Sequence, residues 1–272
     1  GGAVMVATCI SSAVATLCMA FLTNYPIALA PAMGHNFFFA FVVCGSMGIS
    51  WQVALGAVLI SGVLFILLGA FGMRERIINT IPACLNLSIA AGIGLMISLV
   101  GFEWGALVVD DPATYVTLGD LGSPPVLVCL FGVIVISILL SWEFSGAILI
   151  GTLLTAVVGL ATGITEFQGV VSTPPSMAPT FMQLDIQGAL SLGLLTVVFV
   201  FFFLDLFDTI GTTVGVAELG GFLRDGKLPR ARRVLLSDAI GTCVGATTGA
   251  SGVTSYVEST TGIAAGGRTG LV

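Results

Sequence analysis

The chain is a succession of apolar stretches about as long as a bilayer is thick, and that pattern leaves it few ways to fold. A hydrocarbon core of about 30 Å takes roughly 20 residues of helix to cross. Stretches of that kind run over Gly1–Leu22, Pro26–Met47, Trp51–Phe71, Ile81–Gly101, Pro125–Leu140, Phe144–Thr162, Ile186–Val216 and Val234–Thr248, and a last one starts near Ser251. The long Ile186–Val216 stretch is expected to tilt or to extend past the membrane. Only 8% of the residues are charged, against roughly 25% in a soluble domain. There are too few polar groups to cover a water-facing surface. The chain reads as an all-α polytopic membrane protein in a lipid bilayer.

The few cations fix an orientation. All eight Lys and Arg fall in three places: Arg74 and Arg76; Arg224, Lys227, Arg230, Arg232 and Arg233; and Arg268. Counting spans puts these places on one side. The loops with Asp110, Asp111 and Asp120, and with Glu166 and Asp185, fall on the other and hold no Lys or Arg. The positive-inside rule then sets the Arg-bearing loops in the cytoplasm. No basic stripe supports nucleic-acid binding. Six cysteines are scattered singly and there is one histidine, so no metal-ligand spacing arises and no cofactor is expected. The chain opens at Gly1-Gly2 without Met or a charged n-region, unlike a signal peptide, and stops at Val272 as another apolar segment begins. It reads as an internal piece of a longer protein.

Two of the apolar segments are poor continuous helices. Pro26-Ile27-Ala28-Leu29-Ala30-Pro31-Ala32-Met33-Gly34 carries two prolines, which remove donors and break a helix interior. Gly249-Ala250-Ser251-Gly252-Val253-Thr254-Ser255-Tyr256 is small, β-branched and glycine-rich. A pair of interrupted segments, one in each half of a membrane chain, points to a transporter binding site. Non-helical backbone at that depth survives where protein or a cavity satisfies it. Its free N–H groups then become ligands for a polar substrate.

Three acids lie inside apolar stretches: Asp205, Asp208 and Glu258. A carboxylate at mid-bilayer costs roughly 2.5–3.5 kcal/mol on the most lenient scale, so such groups face a cavity, a partner, an ion path or a substrate. Asp205 and Asp208 are three apart and near one another on a helix, where two ionised carboxylates repel. Plainer readings stand beside these: Asp208 capping the following Thr209–Val216 turn, and Glu258 as a capping or loop carboxylate. Asp238 reads as a structural hydrogen-bonder or ion pair near the membrane face. His35 and Asn36 follow the first break, either at the mouth of a half-helix beside substrate or, for the histidine, within helix packing. Phe37, with Phe38 and Phe39, offers a ring to stack on a planar substrate or to pack. Arg268 is expected to snorkel to the cytoplasmic interface. Ser255 and Thr209 adjoin these groups and join the candidate set.

At these residues a family resemblance becomes specific. Asn24-Tyr25-Pro26-Ile27-Ala28-Leu29-Ala30-Pro31-Ala32-Met33-Gly34, then Asp205-Leu206-Phe207-Asp208-Thr209-Ile210-Gly211-Thr212, then Thr254-Ser255-Tyr256-Val257-Glu258-Ser259 with Gly262 to Leu271 resemble the AzgA-like purine permeases of the nucleobase–cation symporter-2 (nucleobase–ascorbate) superfamily. The motifs come in the right order over nearly the whole chain.

The resemblance implies fourteen transmembrane segments in two inverted repeats of seven, a core and a gate domain, and short strands in the third and tenth segments. On that reading this chain holds about segments two to ten. Residues 1–142 are the remainder of the first repeat, and residues 143–272 are segment seven with the start of the second. The family takes up hypoxanthine, guanine or adenine with protons across a plasma membrane of the bacterial inner-membrane type, and a homodimer stays open. Its acid in segment eight falls on Asp205 or Asp208, with Asp205 favoured, and its segment-ten glutamate falls on Glu258. The sequence departs in segment three, where Ala32 and His35 stand in Pro-Ala-Met-Gly-His-Asn in place of Pro-Gly-Met-Gly-Leu-Asn or Pro-Gly-Met-Gly-Glu-Asn. That bears on substrate preference more than on fold.

Two other classes compete with a purine–proton symporter. A carrier of the same architecture for an anion wants Arg or Lys at the breaks, which here carry acids. An intramembrane aspartic protease needs two Asp from different segments, whereas this pair sits on one stretch and Glu258 is the wrong residue type. An enzyme is not expected.

Overall fold

The computed structural model describes residues 1–70, 83–144, 146–167, 169, 173–224 and 228–272. Arg74, Arg76 and Lys227, which enter the orientation argument, lie outside the described residues, as do the expected span ends at Phe71 and Ile81. In chain order the elements are α1 (Gly2–Thr23), β1 (Leu29–Pro31), α2 (Met33–Phe37) widening into a π-helical run Phe38–Ser46, α3 (Trp51–Ala70) and α4 (Ala83–Trp104). Then come β2 (Val108–Asp111), β3 (Tyr115–Leu118), α5 (Pro124–Ser141) and α6 (Ala147–Ala161). The chain closes with α7 (Ile186–Ala189), a 3-10 turn at Leu192–Leu194, α8 (Leu195–Leu219), α9 (Ala231–Thr248), β4 (Val253–Ser255) and α10 (Ser259–Ala264). Among the described residues four helices are long and apolar enough to cross a membrane: Gly2–Thr23, Trp51–Leu68, Pro124–Ser141 and Leu195–Leu219. Four of the expected spans fall on these helices, Pro26–Met47 is instead a strand, a short helix and the π-helical run, and one of the four shows a difference. Ile186–Val216 is not one continuous helix. Asp185 caps α7 by accepting the Gly188 N–H at 2.9 Å, Ser191 turns extended, and the apolar helix starts afresh at Leu195. A cap followed by Gly188, Ser191 and Gly193 makes a helical continuation costly.

Two compact units result, Gly1–Ile93 with Pro174–Val272, and Gly94–Thr173. In the first, helices approach closely through small residues, as lipid-embedded helices do. A Cβ on Gly241 of α9 would stand 2.5 Å from the Ala15 Cβ of α1, and one on Gly62 of α3 would stand 2.9 Å from the Cys243 Sγ of α9. α1 ends where Asn24 turns left-handed at φ 56°, a shape Asn tolerates, and Pro26 bars any continuation. Its last carbonyls then need donors. Arg230 Nη1 donates to Thr23 O at 2.6 Å and Arg233 Nη1 to Leu22 O at 3.3 Å. Arg268 does the same for α8, donating from Nη1 to Gly220 O at 3.0 Å. Cations at helix C-termini also suit the helix dipole.

Both broken segments contain a strand, and the two strands pair. β1 and β4 run antiparallel with Leu29 opposite Ser255, Ala30 opposite Thr254 and Pro31 opposite Val253. Beyond the ends, the Ala32 N–H donates to Gly252 O and the Tyr256 N–H to Ala28 O, each at 3.0 Å. Inward and outward backbone groups alternate in an antiparallel pair, so Leu29, Pro31 and Val253 aim theirs away from the ladder. Buried backbone groups need partners, and side chains supply them. Thr16 of α1 accepts the Leu29 N–H at 3.0 Å and donates to Leu29 O at 3.1 Å. Thr242 of α9 accepts the Val253 N–H at 3.4 Å and donates to Val253 O at 3.1 Å. Pro31 has no N–H, and its carbonyl accepts the Tyr256 hydroxyl at 2.9 Å.

In the second unit, glycines again let helices meet: a Cβ on Gly132 of α5 would stand 2.7 Å from Thr155 Oγ1 of α6. The acidic loop before α5 forms an unforeseen hairpin, β2 with β3. Its turn is built by Asp111, whose Oδ1 accepts the Ala113 N–H at 2.7 Å and the Thr114 N–H at 2.9 Å. The Thr114 N–H, then the Ala113 N–H and the Thr114 hydroxyl, hold the Asp111 carboxyl below the usual aspartate range.

Candidate functional site

The crossing of β1 and β4 gathers most of the candidate residues. His35 lies in the first turn of α2 and Asp205 in α8, 2% and 1% exposed, with imidazole Nε2 3.7 Å from the Asp205 Oδ1. That gap is an ion-pair distance, longer than a hydrogen bond. The ring stacks near-parallel on Phe201, one helical turn before Asp205, with centroids 6.3 Å apart. Its other neighbour is Gly252, where an added Cβ would come within 3.2 Å of the imidazole Cδ2. Asp205 also acts electrostatically on the thiol of Cys243.

Asn36, the next residue, bonds across to the other broken segment, its Oδ1 accepting the Ser251 hydroxyl. Ser255, at the end of β4, is buried and 3.3 Å from Thr213 Oγ1 of α8. Thr209 is buried too, and donates its hydroxyl to Asp238 Oδ2 at 2.7 Å. Asp238 is fully buried in the first unit; it is a hydrogen-bonder, seated in the packing between α8 and α9. Phe37 stacks on Phe41 of its own helix at 5.3 Å. Phe38 packs edge-on against Phe201 at 5.1 Å.

Asp208 and Glu258 face a different environment. Asp208 is half-buried in α8, and its Oδ1 accepts the Thr212 hydroxyl at a long 3.4 Å. Glu258 stands at the head of α10, exposed, and its side chain makes no capping bond. Both carboxylates act electrostatically on the Tyr256 phenol, which ties them to one neighbourhood at the exit of β4. The two aspartates of α8 thus lie in separate surroundings, Asp205 fully buried with His35 and Asp208 half-buried toward Tyr256 and the exposed Glu258. Sequence reasoning did not single out Thr16, Thr242, Ser251, Tyr256 or Cys243. Hydroxyls recur along both helices, among them Thr8, Ser11 and Ser12 on α1 and Ser237 and Thr247 on α9, so the sequence marks neither threonine.

A model described as the Permease family matches residues 2–272. The chain belongs to that family. It is 54% identical over 273 residues to the permease-family protein MJ0326 of Methanocaldococcus jannaschii, covering 100% of this chain and 63% of that one. The guanine/hypoxanthine permease PbuG of Bacillus subtilis is 46% identical over 273 residues, covering 99% of this chain and 62% of its own length. The adenine permease AdeQ of Escherichia coli is 42% identical over 269 residues, with 98% and 61% covered. The chain therefore spans just over three fifths of these relatives. The resemblance drawn from the motifs holds, since purine permeases stand among its close relatives. In fold it is similar to the transmembrane domain of a cyanobacterium bicarbonate transporter, BicA, at a TM-score of 0.65 and 18% identity, over 99% of this chain and 74% of that one.

Proposed function

We propose that this protein carries purine nucleobases (hypoxanthine, guanine or adenine) into the cell in symport with protons. The observation that carries the reading is a pair of carboxylates, Asp208 in α8 and Glu258 at the head of α10, whose charges both reach the Tyr256 phenol where the paired strands end. A purine offers N–H donors on some edges and ring-nitrogen or carbonyl acceptors on others. Ionised carboxylates are pure acceptors and match the first set. The opening amides of α2, which a helix leaves without internal partners, and the Asn36 amide match the second. A site built on such polar edges rejects analogues that lack them more strongly than an apolar pocket could. The names of PbuG and AdeQ support the substrate class.

Two inverted repeats of seven segments sorted into core and gate, with residues 1–142 in the first repeat and residues 143–272 holding segment seven and the start of the second, are part of the same proposal. What supports it locally is the equivalence of the two clamps, Thr16 on Leu29 and Thr242 on Val253. The carrier sits in a plasma membrane with its Arg-bearing loops in the cytoplasm. An anion carrier is disfavoured because neither break carries Arg or Lys and the carboxylate of Glu258 follows the second, and an enzyme because the chain is a family permease. The test is uptake of radiolabelled hypoxanthine, guanine, adenine and uracil by cells expressing the complete gene. Saturable purine uptake that a protonophore abolishes is expected. Absence of saturable purine uptake, or displacement of bound ligand by sulfate and not by hypoxanthine, overturns the reading.

A further inference from the structure

We infer that the arginines around the C-terminal ends of α1 and α8 form a binding site for the phosphate of an anionic membrane lipid, whose acyl chains lie along the apolar face of α1. The site is independent of what the protein carries. It needs only that α1 and α8, both long and apolar enough to cross a membrane, do so.

The two helix ends lie close together. The Gly270 N–H donates at 3.0 Å to Oδ1 of Asn24, the residue that closes α1. Arg268, two residues earlier, donates to Gly220 O at the close of α8. Further cations gather at the same place. Arg230 and Arg233 hold the consecutive carbonyls of Thr23 and Leu22, and the charges of Arg230 and Arg224 both reach the Tyr25 phenol. Arg224, Arg230, Arg233 and Arg268 are all exposed. Arg232 stands on the same turn and has a partner of its own. Within residues 218–224, 228–233 and 265–272 the described acid is Glu218. Positive charge therefore predominates.

The way the arginines are held makes the cluster a site. A backbone carbonyl carries no net charge, so these bonds orient the guanidinium groups of Arg230, Arg233 and Arg268 without neutralising them. Each guanidinium has five N–H donors in a planar fork, of which the carbonyl takes one. The others suit the oxygens of a phosphate, which Arg meets through two parallel bonds. Donors already fixed in place lose less freedom on binding. The surroundings select a lipid over a soluble anion. Phe21, three residues before Asn24, is 77% exposed, and Leu219, just before Gly220, is 75% exposed. Leu17, one turn before Phe21, continues the exposed apolar face along α1. An anion carried on hydrocarbon chains uses both the cations and this face, whereas a soluble one uses the cations alone. Basic clusters at the end of a membrane helix attract anionic lipids for the same reason.

The experiment uses the complete gene product, delipidated in a neutral detergent, as wild type, Arg224→Gln, and the triple variant Arg224→Gln, Arg233→Gln, Arg268→Gln. Retention of radiolabelled dioleoyl phosphatidylglycerol and of dioleoyl phosphatidylcholine is measured per protein at low and high salt. Inorganic phosphate and glycerol 3-phosphate serve as competitors. Wild type is expected to prefer phosphatidylglycerol by about tenfold or more, since each Arg at a membrane surface is worth about fivefold. The preference should shrink at high salt, where charge is screened. Arg224 holds no helix carbonyl, so Arg224→Gln should lower the preference about fivefold with an unchanged melting temperature. The triple variant should lose it; if that variant does not reach the membrane, Arg224→Gln decides. Equal retention of the two lipids by wild type overturns the site, and so does an unaltered preference in Arg224→Gln. Displacement of phosphatidylglycerol by inorganic phosphate or glycerol 3-phosphate at equal concentration overturns it too, by marking a site for a soluble phosphate. No arm depends on hypoxanthine, so purine carriage stands or falls separately.

Discussion

Replacing Thr16 by Val keeps the shape of the side chain and removes its hydroxyl. Two backbone groups of Leu29 then lose their partner at once, the N–H at 3.0 Å and the carbonyl at 3.1 Å. Leu29 is 2% exposed, so water cannot step in, and the strand cannot turn these groups toward β4 without leaving its register. A stranded buried polar group costs about 1–3 kcal/mol, which for two gives about 2–6 kcal/mol. Polar contacts between membrane helices average only about 0.6 kcal/mol, because the unfolded chain in the bilayer also finds partners. Helix hydroxyls can return to their own backbone, whereas the strand groups here have no such recourse. The stranded-group figure therefore dominates, and the lower part of its range applies, about 2–3 kcal/mol. Thr242→Val should cost less, because its contact with the Val253 N–H is longer, 3.4 Å. The double variant should fall short of the sum, since both clamps hold one strand pair and neighbouring sites couple. The assay is thermal unfolding of the detergent-solubilised complete gene product, followed by tryptophan fluorescence. An unmoved transition in Thr16→Val would refute the reasoning.

Three further outcomes follow from the geometry. Glu258→Gln and Asp208→Asn should each weaken hypoxanthine binding by about tenfold or more, the worth of a charge-assisted bond of roughly 1.5–3 kcal/mol; thermal stability should barely move, because Glu258 caps nothing and Asp208 has one long contact, and calorimetric titration beside a melting curve separates the two. Gly241→Ala puts a Cβ where Ala15 already stands, so α1 and α9 must part at a cost of about 1–3 kcal/mol, read as a lower melting temperature; an unchanged value means the helices slide freely. In the β2–β3 turn the Asp111 carboxyl lies below the ordinary aspartate range, so its contribution is in place above the ordinary value and fades as pH falls through the lowered one. Amide exchange at Ala113 and Thr114, compared between wild type and Asp111→Ala, should show protection that disappears in acid only in the wild type.

The spans were legible because apolar length is a property of local sequence, and so were the breaks, because Pro26, Pro31 and the Gly249–Gly252 run forbid a continuous helix wherever they are put. The division of Ile186–Val216 was not, since the residues around Ser191 are mostly apolar and the cap at Asp185 with Gly188, Ser191 and Gly193 is a weaker mark than a proline. The candidate acids were found from their cost in a bilayer, a local argument. Their sorting into a fully buried Asp205 and a half-buried Asp208 depends on where α2 and β4 pack around α8, and nothing within the α8 sequence records that. The threonine clamps escaped for a similar reason: a hydroxyl in an apolar helix carries no periodic signal until its strand is beside it.

The pairing of β1 with β4 also sets a timetable for making the protein. Pro31 and Tyr256 are 225 residues apart, and at roughly 5–20 residues per second a ribosome needs about 10–45 s to bridge them. Throughout that interval β1 is threaded into the bilayer as a lone strand whose ladder-side groups await a partner still unsynthesised. Thr16, already in place on α1, secures the outer edge from the start, and Pro26 and Pro31 have no N–H to leave unpaired. The first half of the chain is thereby kept insertable, and it waits as an unfinished template that β4 completes on arrival.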